Sequence, residues 1–144
     1  CFHRVFPHKD IDSNLIGACL NTTLSSFMIS LFGRSNLGLG ALKYEAKDAK
    51  SLLILQPTLL EKYLKKITKF WVRLSGKPTM SIFEELGINP RQPIYSQKPN
   101  PLPDRKALDD IVFDILGLTQ TERDEVYLAV CELVKNRLEK AKSV

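Results

Sequence analysis

Five prolines fall between Ile88 and Pro103, at positions 90, 93, 99, 101 and 103. Each fixes its own φ and lacks a backbone donor, so neither a helix nor a central strand can run through this segment. The chain is thereby divided into a longer part before residue 88 and a shorter part from residue 104, with an extended connector between them. Ile94, Tyr95 and Leu102 give the connector apolar anchors. A free linker has no use for them, so residues 88–103 are expected to lie against the body as a strap.

Beyond the strap, Asp104 opens a helix whose apolar positions are Leu108, Ile111, Val112, Ile115 and Leu116, with Gly117 as its stop. Thr119 and Glu122 have the spacing of a capping box, which opens a second helix reaching about Lys142. Glu122, Asp124 and Glu125 lie in its early turns and Lys135, Arg137, Lys140 and Lys142 in its late turns, the order that complements the helix dipole. Residues 104–144 therefore read as a helical hairpin.

Before the strap, Thr58 and Glu61 also have capping-box spacing, which predicts a helix to about Leu74. Its apolar positions are Leu60, Tyr63, Leu64, Ile67, Phe70, Trp71 and Leu74, while Lys62, Lys65, Lys66, Lys69 and Arg73 line the other side. Gly76 and Pro78 end it, and Ser81 with Glu84 starts a short helix that stops at Gly87. The net charge of +5 is concentrated here. Residues 58–103 carry eight basic and three acidic side chains, against six and four in residues 1–57 and seven and nine in residues 104–144. A basic excess of this kind suits one face turned toward a polyanion.

Residues 1–57 read as a strand-and-helix unit. Phe2–Phe6, Ala41–Ala46 and Leu52–Leu55 are strand candidates, and Ser13 or Asn14 caps a helix running to Phe32. Asn21, Thr22, Thr23, Ser25, Ser26 and Ser30 make that helix too polar for a bilayer span, so it is assigned to a core. The loop Gly33–Gly40 contains three glycines in eight positions. The expected fold is α+β and predominantly helical: a unit over 1–57, a basic and a short helix over 58–87, the strap over 88–103, and the hairpin over 104–144.

Several chemistries find little purchase. His3 and His8 flank a proline with no acidic or thiol partner at ligand spacing, so no metal site is expected. The glycine loop leads into a strand candidate rather than a helix and lacks the Gly-Lys-Ser/Thr ending of a phosphate cradle. Cys19 and Cys131 fall on apolar helix faces and read as core residues. The neighbouring pairs Asp109–Asp110 and Glu84–Glu85 diverge on a helix and read as solvated surface. The chain starts at Cys1 without a secretory leader and carries three widely spaced cysteines, so it is expected to be part of a longer cytoplasmic protein without membrane attachment.

Two stretches carry a family likeness. Leu20-Asn21-Thr22-Thr23-Leu24, followed by Gly33-Arg34-Ser35-Asn36-Leu37-Gly38-Leu39-Gly40-Ala41-Leu42-Lys43, resembles the C-terminal part of adenine-N6 DNA methyltransferases of restriction–modification systems. The closing segment, Asp110 to Asp114, Gly117 to Thr119 and Glu122 to Tyr127, is similar to the tail of the same proteins.

The resemblance implies a non-catalytic C-terminal fragment. S-adenosylmethionine and the Asn/Asp-Pro-Pro-Tyr/Phe motif are expected in an upstream catalytic domain of the parent protein. The nearest strings here, Asn89-Pro90-Arg91-Gln92 and Asn100-Pro101-Leu102-Pro103, lack the second proline and the aromatic that would stack on a flipped adenine. No cofactor is expected in the fragment and no enzymatic activity of its own. Its expected partners are DNA and the upstream catalytic domain. Gly33, Arg34, Asn36, Gly38, Gly40 and Lys43 match the family's loop motif. Arg34, Asn36 and Lys43, with Lys62, Lys65, Lys69 and Arg73, are the DNA-binding candidates. The alternative is a scaffolding role, with the helices bracing the catalytic domain or a partner subunit without touching DNA.

Overall fold

The computed structural model describes residues 10–33, 41–43, 45–50, 52–74 and 77–142. Among these it contains seven α-helices, two short 3-10 segments and no strand. The α+β expectation is therefore corrected to a helical fold. Phe2–Phe6 lies outside the described residues. Ala41–Ala46 and Leu52–Leu55 do not become strands: Lys43 makes only an isolated bridge, Ala46–Lys50 forms a short helix, α3, and Leu52–Gln56 is irregular. A strand needs a neighbour to satisfy its backbone. With none among the described residues, Leu53 and Ile54 stay exposed. Within Glu45–Lys50, by contrast, local bonds suffice, as the Asp48 carboxylate accepts the Glu45 N–H at 2.9 Å and Glu45 O accepts the Asp48 and Ala49 N–H groups.

The helix expected from residue 14 to Phe32 is two helices. α1, Ser13–Leu20, is capped by Asp12 rather than Ser13 or Asn14, its carboxylate accepting the Asn14 N–H at 2.7 Å. α2, Thr23–Phe32, begins after Thr22, which is extended and whose hydroxyl accepts the Ser25 N–H at 3.1 Å. The two axes meet at 63°. Short polar side chains at Asn21 and Thr22 bond to the adjacent backbone and so end one helix and start the next. No single helix among the described residues is long and apolar enough to cross a membrane. α1 packs on the segment 57–74 and α2 chiefly on the long last helix, α7, Gln120–Lys142.

Pro57–Tyr63 is a 3-10 turn that continues into α4, Leu64–Leu74. The Thr58–Glu61 box does not form, because Pro57 occupies the first helical position and places Thr58 already inside the turn. α5, Ile82–Leu86, does carry the expected box: Ser81 Oγ accepts the Glu84 N–H, and Glu84 Oε2 accepts the Ser81 N–H at 2.9 Å. Gly87 ends it at φ 64°, in the left-handed region.

The strap is packed, and of its three expected anchors Ile94 is buried. Ile88 is buried beside it, whereas Tyr95 is largely exposed and Leu102 more than a third exposed. Backbone bonds from Asn100 N–H to Leu86 O, 2.9 Å, and from Leu102 N–H to Glu85 O, 2.8 Å, fasten it to α5. Gln97 braces its loop by exchanging bonds with the Asn89 backbone, and Lys135 of α7 reaches Gln92 O at 3.1 Å.

This fastening makes Gly87 a sensitive position. A β-carbon there would lie 2.6 Å from Asn100 O, whereas at Gly117, also left-handed at φ 69°, it would meet nothing within 4 Å. Gly117→Ala is expected to destabilise by about 1 kcal/mol and Gly87→Ala by about 2 kcal/mol or more. Urea midpoints of the two variants check the difference; equal losses would mean that the strap moves aside freely.

α6, Pro103–Leu116, and α7, Gln120–Lys142, follow, joined by the Gly117 turn and the Thr119–Glu122 box. α6 lies between two apolar clusters. Leu108, Ile111 and Val112 join Leu15, Cys19, Leu60, Ile67 and Phe70 in the first. Phe113 turns the other way, into Leu86, Ile94, Tyr127, Val130 and Cys131.

Candidate functional site

The residues expected to meet DNA separate into three groups. Arg34 and Asn36, with Gly38 and Gly40 of the same loop, lie outside the described residues. Lys43 is engaged, 2.8 Å from Glu45 in a half-exposed ion pair. Lys62, Lys65, Lys66 and Lys69 are brought together on one exposed face of the 3-10 turn and α4. Arg73 is on α4 as well, and only its helical backbone is described.

The lysine face is set by what lies behind it. Leu60, Ile67 and Phe70 are buried in the first cluster, which fixes the rotation of the helix. Lys62 and Lys66 hold their ammonium groups over aromatic rings, with Nζ 4.9 Å from the Tyr63 centroid and 5.9 Å from that of Phe70. Among the described residues no carboxylate is paired with the four lysines, even though Glu61 precedes Lys65 by four positions. Lys65 and Lys69 stand one turn apart and repel each other by a few tenths of a kcal/mol, roughly. The result is a rigid backbone carrying exposed positive charge.

A second constellation was not legible in the sequence. Asp109 is fully buried on α6, not solvated as its pairing with Asp110 suggested. Its carboxylate accepts the Thr23 N–H at 2.7 Å and the Thr23 hydroxyl at 2.6 Å, closing the N-terminus of α2 across 86 residues of chain. Burial pushes its pKa up to about 6, opposed by the Thr23 hydroxyl and N–H, by the Arg105 charge and by the Tyr127 hydroxyl. Burial likewise raises the Tyr127 phenol above its ordinary value, with the Asp109 and Asp110 charges adding to the effect. The one available signal was spacing: Asp109 is three and four residues before Val112 and Phe113, on a buried side of the helix.

Beside this junction lies a cleft of about 300 Å³ lined by Asn21, Lys77, Glu85, Asp104, Arg105 and Leu108, among others. Its charges are already matched. Arg105 donates from Nε to Glu85 at 2.7 Å and from a second nitrogen to Asn21 O, and Lys77 is paired with Asp104. Glu85 is thus tied, while Glu84 is spent on its cap, whose bonds from Ser81 hold its carboxyl below the usual range. Asp109 does not line the cleft, so no carboxylate here is both exposed to a ligand and free to move a proton.

The two buried thiols are core residues. Burial raises Cys19 to about 11 and Cys131 to about 12, which keeps both neutral. His3, His8 and Cys1 lie outside the described residues, and no group of three or more potential metal ligands occurs among the described ones. The string at Asn89 is an Asx turn, its side-chain oxygen accepting the Arg91 N–H at 2.9 Å.

Comparison of the chain with protein-family models, with curated proteins and with solved structures gives no match.

Proposed function

We propose that the chain is the non-catalytic C-terminal part of a DNA adenine methyltransferase, and that the lysine face of α4 lies on the phosphate backbone as part of target recognition. The observation that carries this is the set Lys62, Lys65, Lys66 and Lys69, exposed together without carboxylate partners among the described residues, on a helix whose other side is locked into a core. Phosphates on a duplex supply the missing counter-charge, and a rigid helix presents it without an ordering penalty. In this reading Arg34 and Asn36 of the glycine loop supply base contacts. S-adenosylmethionine and the catalytic motif belong to the upstream domain of the parent.

Scaffolding is the second reading, favoured by exposed Leu31 and Phe32 at the end of α2 and by Leu53, which an upstream domain could cover. The two differ in salt dependence. A fluorescence-anisotropy titration of the chain against duplex DNA over a salt series is expected to show binding that weakens linearly in log–log form. Lys65→Ala with Lys69→Ala should flatten that slope by about two units and weaken all sequences alike. Folding stability should change by less than about 0.5 kcal/mol, since both side chains are exposed. Salt-independent binding, or a slope the double variant leaves intact, would assign the face to solvent and leave scaffolding.

A further inference from the structure

Residues of α2, α5 and the late turns of α7, with Leu42, line a second, open cleft of about 410 Å³. Its walls are mostly apolar: Ile29, Leu42, Ile82, Phe83, Val134 and Leu138. Arg137 of α7 also lines it. Two of its guanidinium nitrogens, Nε and Nη1, are buried with no hydrogen-bond partner, and they are the buried side-chain polar atoms so placed among the described residues. The buried polar groups elsewhere, Thr22, Thr23, Ser25 and Asp109, are all bonded. No ion pair described for the molecule includes Arg137, and desolvation lowers its pKa from the ordinary value.

An unmatched guanidinium in an apolar wall is unfavourable on its own, because its buried N–H groups have left water and gained nothing. The same arrangement is complementary to a ligand with an apolar body and one anionic oxygen group. The size of the cleft falls in the range of small-molecule sites.

We infer that this cleft binds a small monocarboxylate with an aliphatic or aromatic body, the apolar part resting on Ile29, Phe83 and Val134 and the carboxylate accepting from the Arg137 guanidinium, whose half-buried side chain turns Nε and Nη1 into the cleft as the ligand enters. The site is separate from the lysine face and does not depend on whether that face binds DNA.

The test uses octanoate as probe, with octanol as its uncharged counterpart, followed by amide chemical shifts and thermal melts. Octanoate is expected to saturate, to shift resonances around the cleft and to raise Tm, and to bind about tenfold or more tighter than octanol, the effect of a charge-assisted hydrogen bond. Arg137→Met keeps the side-chain length and removes the guanidinium. It should melt no lower than the natural chain without ligand, and should bind octanoate no better than octanol. Absence of saturable octanoate binding, equal affinity for octanol, a carboxylate preference that survives in Arg137→Met, or a Tm several degrees lower in that variant would each overturn the assignment. The last outcome would show that the guanidinium already has its partner within the fold.

Discussion

Phe113→Ala is expected to lower stability by about 3–5 kcal/mol, measured as a loss in urea midpoint at unchanged slope. Phe113 has no exposed surface, and its ring meets that of Tyr127 edge-on, with centroids 5.5 Å apart and planes at 67°. Arg123 of α7 lies over the same ring at 5.8 Å while bonding Asp114 at 2.6 Å. Truncation would open a cavity where α6 meets α7, at a place bounded by two helices and the strap, none of which can close on it without losing contacts of its own. Leu116→Ala is the internal comparison. Leu116 is 44% exposed, so its loss should amount to about 1 kcal/mol or less. The opposite ordering would mean that α6 is buried along the stripe Leu108, Ile111, Val112, Ile115 and Leu116 that periodicity alone suggests.

That contrast shows which parts of the fold were legible. Capping boxes at Ser81–Glu84 and Thr119–Glu122, left-handed glycines at 87 and 117, and a final helix to Lys142 close within a few residues, so their chemistry is written locally. The break between α1 and α2 is local too, but an apolar pattern continues through it: by sequence Thr22 interrupts one helix, whereas in the fold it caps the next. Ala41–Ala46 and Leu52–Leu55 have strand-like composition and no partner strand among the described residues, a fact no window of sequence contains. Periodicity gives α6 one buried face, as it does for any surface helix. It has two, since it lies between clusters assembled from segments up to a hundred residues away. The lysine stripe was legible because its period is that of the helix itself. The Arg137 cleft was not, because Arg137 reads from sequence as one of several late-turn cations that complement the dipole, and only packing shows that its guanidinium faces an apolar wall.

Asp109 is the furthest from what periodicity can express, and its replacement should have the other large effect. Asp109→Ala removes the acceptor for the Thr23 N–H and hydroxyl. Leaving such donors buried and unpaired is expected to destabilise by about 3 kcal/mol. Asp109→Asn keeps an acceptor for the Thr23 N–H, so its loss at neutral pH should be about 1 kcal/mol, and it cannot titrate. The two carboxyl states then set the pH dependence. Burial raises the folded pKa to about 6, above the ordinary 3.8, so the folded chain holds this proton more tightly than the unfolded one. The stability this group contributes is full below about pH 4 and is lost as pH rises through about 6, a span worth roughly 3 kcal/mol by linkage. Glu84 and Glu122 act in the other direction: their caps hold them low, so their contributions fade as pH falls. Total stability mixes these, but the difference between the natural chain and Asp109→Asn isolates the buried group. That difference should move in favour of the natural chain as pH is lowered from 7 to 4, in urea titrations at matched ionic strength. If it stays constant across that range, Asp109 is ionised in the folded protein at no penalty, and the N-terminus of α2 with Arg105 is strong enough to offset its removal from water.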